Sequence, residues 1–245
     1  MSDFIDATSY DLLMGRWSKL LGLELVRFAG IEPGARILDV GCGTGSLSAA
    51  FLATARPAQV VGVDPSPAFI GLARSRIQDP RMLVLNFVPD RARAAREMRR
   101  VTRAGGLVAA CVWDYGDGMA MLRHLWDAAV ALDPSAAPRH EGRMPLCHPG
   151  ELGELWRATG LERVREGDIA IDMRFSSFGD FWSPFLTGVG PSGGYVASLP
   201  PHKQRALEEK LRAELWDYRP EKPRTLPARL GAVVGTVPSG AASRS

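Results

Sequence analysis

Short apolar runs of strand length alternate with amphipathic stretches through the first half of the chain. The runs lie at 37–40, 59–63, 82–88 and 107–113, and apolar residues recur at helical spacing over 46–52, 67–77 and 91–102. Runs of consecutive apolar residues are typical of strands that are buried on both faces of a mostly parallel sheet. The pattern therefore predicts an α/β fold with helices on both faces of the sheet.

The second half of the chain has a different pattern. Residues 169–175 and 227–237 predict two strands that pair as an antiparallel edge of the sheet. Between them, 176–226 contains an aromatic helical segment and a charged amphipathic helix. We expect a core formed by 1–175 and 227–237, a helical lid inserted at 176–226, and a disordered tail at 238–245. The lid is expected over the carboxyl ends of the strands, where such sheets bind ligands.

Three glycines at alternate positions follow the first strand directly: Gly41, Gly43 and Gly45. A helix begins at Ser46, and a strand, glycine turn and helix in this order bring bare backbone close to a nucleotide-like ligand. A side chain at Gly41 or Gly43 would stand in the path of that ligand. Asp64 ends the second strand, where a carboxylate accepts hydrogen bonds from both hydroxyls of a ribose.

The segment Ile-Leu-Asp-Val-Gly-Cys-Gly-Thr-Gly at 37–45, joined to Val-Gly-Val-Asp at 61–64, resembles the class I S-adenosylmethionine-dependent methyltransferases. The resemblance implies a Rossmann-like methyltransferase sheet, S-adenosylmethionine as cofactor and a small molecule as methyl acceptor. The cofactor-binding residues that it implies are Asp39, Gly41, Cys42, Gly43, Gly45, Asp64, Pro65, Arg16 and Asn86. Methyl transfer from a sulfonium depends mainly on positioning, so we assign no catalytic residue.

The helix predicted over 12–28 resembles a segment beside the cofactor pocket in one small-molecule branch of the family. In that context Arg16 would pair with the methionine carboxylate of the cofactor. The alternative is that Arg16 lies at the surface, and the sequence does not decide between the two. We interpret Trp17 as a core residue because large aromatic residues are mostly buried.

One strand is present where the family has two. Only the run at 82–88 lies between the helix at 67–77 and the arginine-rich helix at 91–102, and a strand–helix–strand crossover takes about 30 residues. Since the run directly precedes the arginine-rich helix, we interpret it as the fourth strand, on the flank of the first strand opposite the second. The third strand, its adenine-binding acidic residue and the following helix are then missing.

This gap predicts weaker cofactor binding and leaves two hypotheses open. The first is a methyltransferase that acts on a small molecule. The second is a methyltransferase-derived binding or structural protein with weak or no catalysis. An NAD-dependent oxidoreductase is disfavoured by the G-x-G-x-G spacing, which differs from the dinucleotide fingerprint.

Bulk properties argue against several other classes of protein. The net charge of +3 is too small to indicate a nucleic-acid partner. The three cysteines and four histidines have the spacing of neither a zinc site nor a disulfide scaffold, so we expect no metal. No apolar run approaches membrane-spanning length and no signal peptide is apparent, so we expect a cytoplasmic protein without a membrane partner. The sequence leaves the oligomeric state open.

Overall fold

The computed structural model describes residues 7–79, 82–85 and 91–239. The chain divides into two compact units. The first unit comprises Met1–Leu20, Trp113–Met144 and Ala170–Arg229, and the second comprises Leu21–Val112, Pro145–Ile169 and Leu230–Ser245. Residues 176–226, the predicted lid, therefore belong to a larger unit that also contains the start of the chain.

The strands are β1 (Arg36–Val40), β2 (Gln59–Val63), β3 (Met82–Leu85), β4 (Leu107–Trp113), β5 (Glu162–Phe175) and β6 (Arg224–Thr236). The α-helices are α1 (Ala7–Tyr10), α2 (Arg16–Ala29), α3 (Ser46–Thr54), α4 (Pro67–Arg76), α5 (Arg91–Val101), α6 (Ala120–Leu132), α7 (Glu151–Ala158), α8 (Phe178–Trp182), α9 (Gly190–Ser198) and α10 (Pro201–Trp216). A π-helix spans Asp11–Gly15, and 3-10 helices span Pro134–Arg139, Glu141–Arg143 and Ser183–Thr187.

The first three strands form a parallel sheet in the order β1-β2-β3. Val63 of β2 pairs with Val40 on one side and with Leu85 on the other. β3 therefore lies outside β2, and the prediction that this strand flanks β1 is wrong. A return from β2 across β1 would be left-handed if α4 lay on the same face of the sheet as α3, and left-handed crossovers are rare.

The opposite edge of β1 has no strand partner among the strands that the structure describes. The family pattern places the fourth strand at this edge, so the missing element corresponds to the fourth strand rather than to the third. Leu38 in the middle of β1 is 44% exposed, which contradicts the prediction that this strand is buried on both faces. A leucine in a central strand loses its apolar neighbours when the adjacent strand is absent.

The remaining strands form a second three-stranded sheet in the order β4-β6-β5. β6 runs antiparallel to β4, because Gly105 N donates to Val237 O at 3.0 Å while Asp114 N donates to Arg229 O at 3.0 Å. The predicted pairing of β5 with β6 is confirmed, although β6 lies in the middle of this sheet and β5 at its edge. β5 also begins at Glu162, earlier than predicted.

Each unit has its own apolar core. In the first unit, aromatic rings of α8 and α10 pack around Phe175, and Trp17 is buried as predicted. Residues 176–223 form helices and connecting turns, as predicted for most of this segment, whereas 224–226 belong to β6. In the second unit, Trp156 and Val233 lie in one cluster and Phe51 and Val60 in another.

The helices within the described ranges are all too short or too polar to span a bilayer.

Candidate cofactor site

The glycine loop between β1 and α3 is pinned to the end of β2. Gly41 N and Cys42 N both donate to Val63 O, at 2.6 and 3.0 Å. Gly41 and Gly43 have φ values of +77° and +53°, a region that side chains other than glycine rarely adopt. A Cβ added to either glycine would meet no atom of the described chain within 4 Å. The loop therefore presents bare backbone to open space, as an approaching ligand requires.

Gly45 has a different role from the other two glycines. Its φ is +87°, and a Cβ placed there would lie 2.6 Å from Ile77 Cδ1 and 3.3 Å from Ala73 Cβ. Gly45 is also the N-cap of α3. A residue without a side chain is therefore needed at position 45, where the loop packs closely against α4. A direct contact of Gly45 with the cofactor stays a prediction.

Asp64 braces the loop from the end of β2. One carboxylate oxygen accepts from Gly43 N at 2.9 Å, and the other accepts from Ser66 N at 2.8 Å. A carboxylate offers about four lone-pair sites, so each oxygen retains capacity for a further hydrogen bond. Asp64 thus combines a structural role with the acceptor capacity that two ribose hydroxyls need.

Asp39 supports the loop from its buried side. It is 5% exposed, and its carboxylate accepts a hydrogen bond from Ser48 Oγ at 2.5 Å. Burial raises the pKa of Asp39 to about 6, and the neighbouring charge of Asp64 acts in the same direction, against the Ser48 hydrogen bond. These contacts tie β1 to α3, and the cofactor contact predicted for Asp39 stays a prediction.

The last two predicted residues of the second unit are Cys42, which lies within the loop, and Pro65. Cys42 is buried and packs with Ile70, and burial raises the pKa of its thiol to about 12. The thiol is therefore protonated near neutral pH and is not an activated nucleophile. Pro65, directly after Asp64, is exposed, and its predicted contact with the cofactor is untested.

Arg16 belongs to the first unit, where it pairs with Asp180. Its Nη1 donates to Asp180 Oδ1 at 2.7 Å, and its guanidinium lies 4.2 Å from the centroid of the Trp17 ring. The Nε of Arg16 and the Nε1 of Trp17 are buried donors with no partner in the described part of the chain. Buried donors are normally hydrogen-bonded, so these two N–H groups could each take an acceptor. The contact of Arg16 with the methionine carboxylate of the cofactor stays a prediction. Asn86 lies outside the described residues.

Sequence reasoning missed two buried acidic residues of the first unit, Asp114 and Glu141, which are 5% and 6% exposed. Glu141 lies in a stretch rich in proline, alanine and charged residues at 133–147, and nothing in the local sequence distinguishes it from a solvated glutamate. Within the ranges described, no group of three histidine, cysteine, aspartate or glutamate side chains is placed to hold a metal ion.

The sequence profile of a family described as a methyltransferase domain matches residues 15–166. The chain belongs to this family. The class I S-adenosylmethionine-dependent methyltransferase assignment made from the glycine loop and Asp64 is thus confirmed.

Two relatives share part of their sequence with this chain. An uncharacterised protein of Mycobacterium tuberculosis is 29% identical over 181 residues, which cover 61% of this chain and 65% of that protein. The match thus spans less than two thirds of that relative. The erythromycin 3″-O-methyltransferase of Saccharopolyspora erythraea is 34% identical over 87 residues, covering 34% of this chain and 28% of that enzyme.

The fold is that of known methyltransferases. Phosphoethanolamine N-methyltransferase 2 of Haemonchus contortus, solved with phosphomonomethylethanolamine and S-adenosylhomocysteine, aligns with a TM-score of 0.55 at 14% identity. The alignment covers 95% of this chain and 57% of that one. The predicted α/β, Rossmann-like fold class is therefore confirmed.

The residues of the loop fit the cofactor of this family. The space above Gly41 and Gly43 leaves room for the ligand, and the carboxylate of Asp64 retains acceptor capacity beside it. Seven of the nine predicted cofactor residues are described and fall within the second unit, whereas Arg16 belongs to the first unit.

Proposed function

We propose that this chain binds S-adenosylmethionine at its glycine loop and transfers the methyl group to a small molecule. One observation carries the proposal: the open, left-handed backbone at Gly41 and Gly43 lies next to a carboxylate that is held in place by the loop itself. Family membership supports the same cofactor.

Each residue of the loop has a definable task in this proposal. S-adenosylmethionine, when bound, supplies a methyl group already activated by its sulfonium. Asp64 would accept hydrogen bonds from the two ribose hydroxyls. The hydrogen bond that its carboxylate accepts from Gly43 N would hold it in the required orientation. The open backbone at Gly41 and Gly43 would let the cofactor approach closely. Asp39 would hold α3 against β1 through the hydrogen bond from Ser48. The protein thus contributes mainly binding and orientation.

A small-molecule acceptor is supported by the relatives. The name of the S. erythraea relative specifies an O-methyltransferase of erythromycin, and another relative, from Methylobacterium radiotolerans, is named trans-aconitate 2-methyltransferase.

Calorimetric titration with S-adenosylmethionine and S-adenosylhomocysteine tests the proposal. Gly43→Asn is the sharpest variant, because asparagine tolerates a positive φ while its side chain enters the open space. We expect the wild-type chain to bind both ligands and Gly43→Asn to bind neither measurably, with unchanged circular dichroism. Wild-type protein that binds neither ligand, or a variant that binds as well as the wild type, would refute the site.

The role predicted for Arg16 has its own test. Arg16→Gln removes the cation that would meet the methionine carboxylate, so affinity for S-adenosylmethionine should fall. Affinity for 5′-methylthioadenosine, which lacks that carboxylate, should stay unchanged. A parallel loss for both ligands would instead indicate that breaking the Asp180 pair disturbs the structure.

A second candidate is supported by the open edge of β1. In the family, the tip of the fourth strand faces the substrate. A chain without this strand is expected to bind the cofactor but to catalyse methyl transfer inefficiently. Incubation with labelled S-adenosylmethionine and a broad set of small-molecule acceptors separates the two. Methyl transfer to any acceptor supports the enzyme, and tight binding without transfer supports the second candidate.

A further inference from the structure

The solvent-facing side of α5 carries a row of positive charge. Four exposed arginines share this side of the helix, and we call them the arginine stripe: Arg93, Arg96, Arg99 and Arg100. Successive helical residues lie about 100° apart and about 1.5 Å along the axis, so the stripe covers about 120° of arc and about 10 Å of length. Met98, on the opposite side of α5, packs against the apolar cluster of the second unit. The stripe therefore faces away from the core.

The stripe has few acidic partners. Glu97 is the one acidic residue of the sequence 91–103, and it pairs with Arg100 at 2.8 Å. Arg96 and Arg99 form no ion pair with any residue inside the described ranges. Like charges three or four residues apart destabilise a helix, and a face that only has to be solvated is served as well by charges of mixed sign. The imbalance therefore points to an anionic partner.

This positive charge is local. Residues 91–103 contain six arginines and one glutamate, a net charge of +5, whereas the whole chain has a net charge of +3. The rest of the chain is thus slightly negative, and an anion is attracted to this segment in particular. The small net charge of the chain therefore does not exclude a nucleic-acid partner for α5.

The composition of the stripe favours a nucleic-acid backbone over other polyanions. The guanidinium fork matches a phosphate group with two parallel hydrogen bonds. A specific protein interface normally has an apolar centre, whereas the stripe holds no large apolar side chain, as is typical of the polar and positively charged surfaces that bind DNA. A helix that lies on a membrane inserts its apolar side, but in α5 that side packs in the core.

We propose that the arginine stripe of α5 binds the phosphate backbone of a nucleic-acid duplex without reading its sequence. The phosphates of one strand advance by about 3.4 Å along the axis, so a stripe of about 10 Å spans about three of them. α5 contains no aromatic, asparagine or glutamine residue that could stack on bases or read their edges. This favours a duplex over a single strand. The proposal is separate from methyl transfer, because it needs neither cofactor nor acceptor.

The probe is a 20-base-pair DNA duplex, used in two unrelated sequences and titrated with the full chain by fluorescence anisotropy. Both duplexes should bind with the same affinity. Since contact with about three phosphates releases a corresponding number of counterions, the affinity should fall about 40-fold between 50 and 200 mM salt.

Two double variants test the stripe itself. Arg96→Gln/Arg99→Gln removes two phosphate contacts, so it should weaken binding and reduce the fall with salt to about fourfold. Arg96→Lys/Arg99→Lys keeps both charges and should keep the salt dependence of the wild type. Arg205→Gln/Arg219→Gln is the matched control, because it removes two exposed charges from the first unit, and it should leave binding unchanged.

Three results overturn the proposal: no binding of either duplex at 50 mM salt, undiminished binding by Arg96→Gln/Arg99→Gln, or an equal loss in the control. Tighter binding of deca-glutamate or of phosphatidylserine vesicles than of the duplexes also overturns it, in favour of an acidic protein or a membrane. Circular dichroism verifies that the variants are folded. If the double glutamine variant does not fold, Arg96→Gln alone replaces it, with an expected fall of about 12-fold over the same range of salt.

Discussion

The buried carboxyl of Asp39 should make the stability of the chain depend on pH. Burial raises the pKa of Asp39 from 3.8 to about 6, and a shift of about 2 units corresponds to about 3 kcal/mol. Asparagine cannot ionise, and its side-chain oxygen can still accept the hydrogen bond from Ser48. We therefore expect Asp39→Asn to raise the free energy of unfolding above neutral pH by up to about 3 kcal/mol.

The sign of the pH effect follows from where each state loses its proton. The unfolded chain ionises this group near pH 3.8, and the folded chain ionises it near pH 6. Between these values the folded state binds more protons, so the contribution of Asp39 to stability falls as the pH rises and is constant above that range. The advantage of Asp39→Asn should grow from about pH 4 to about pH 6 and then level off.

Urea unfolding of wild type and variant at a series of pH values measures this difference. Asp114→Asn is a matched control, since Asp114 is equally buried. Burial acts to raise the pKa of Asp114, but hydrogen bonds from Arg229, Asp117 N and Gly118 N lower it overall. Asp114→Asn should therefore lose stability by a constant amount above about pH 4. An advantage of Asp39→Asn that is absent, or that does not change with pH, would refute the reasoning.

Three further predictions concern the loop and the sheet. Asp64→Ala should weaken S-adenosylmethionine binding by about 1.5–3 kcal/mol in calorimetry, because it removes a charged acceptor, and equal affinity would contradict this role. Gly45→Ala should lower the melting temperature more than Gly41→Ala, because both impose the same left-handed strain of about 1–3 kcal/mol while only Gly45 has a close neighbour. A helix–strand segment inserted between Leu85 and Arg91 should raise the melting temperature and the rate of any methyl transfer. If neither changes, the open edge of β1 lowers neither stability nor activity.

The parts of the fold with local signals were predictable from sequence. The strands at β1, β2 and β4 follow from apolar runs, and α4 follows from Ser66, whose hydroxyl accepts from Phe69 N at 3.3 Å as a helix cap should. The glycine loop was predictable because its residues are adjacent in the chain and each has a distinct backbone requirement.

Long-range pairings were not predictable. The partner of Arg16 is Asp180, far away in sequence, and no spacing rule connects them. Glu141 is buried because α6 and α9 supply the rings around it, while its own segment resembles a solvated loop. β5 begins well before its alternating part, and its hydrogen-bonded neighbour is β6, a strand that is distant in sequence.

The identity of the missing strand depends on topology rather than on local sequence. The run at 82–88 precedes the arginine-rich helix as a fourth strand would, yet β3 pairs with β2 in the position of a third. This changes the expected defect. The third strand of the family contributes to the adenine pocket, whereas the tip of the fourth faces the substrate. With β3 beside β2, we expect the wall of the adenine pocket to be retained, although residues 86–89, which directly follow this strand, include no acidic residue. We therefore expect the gap to impair the acceptor side, so that binding of S-adenosylmethionine survives better than methyl transfer.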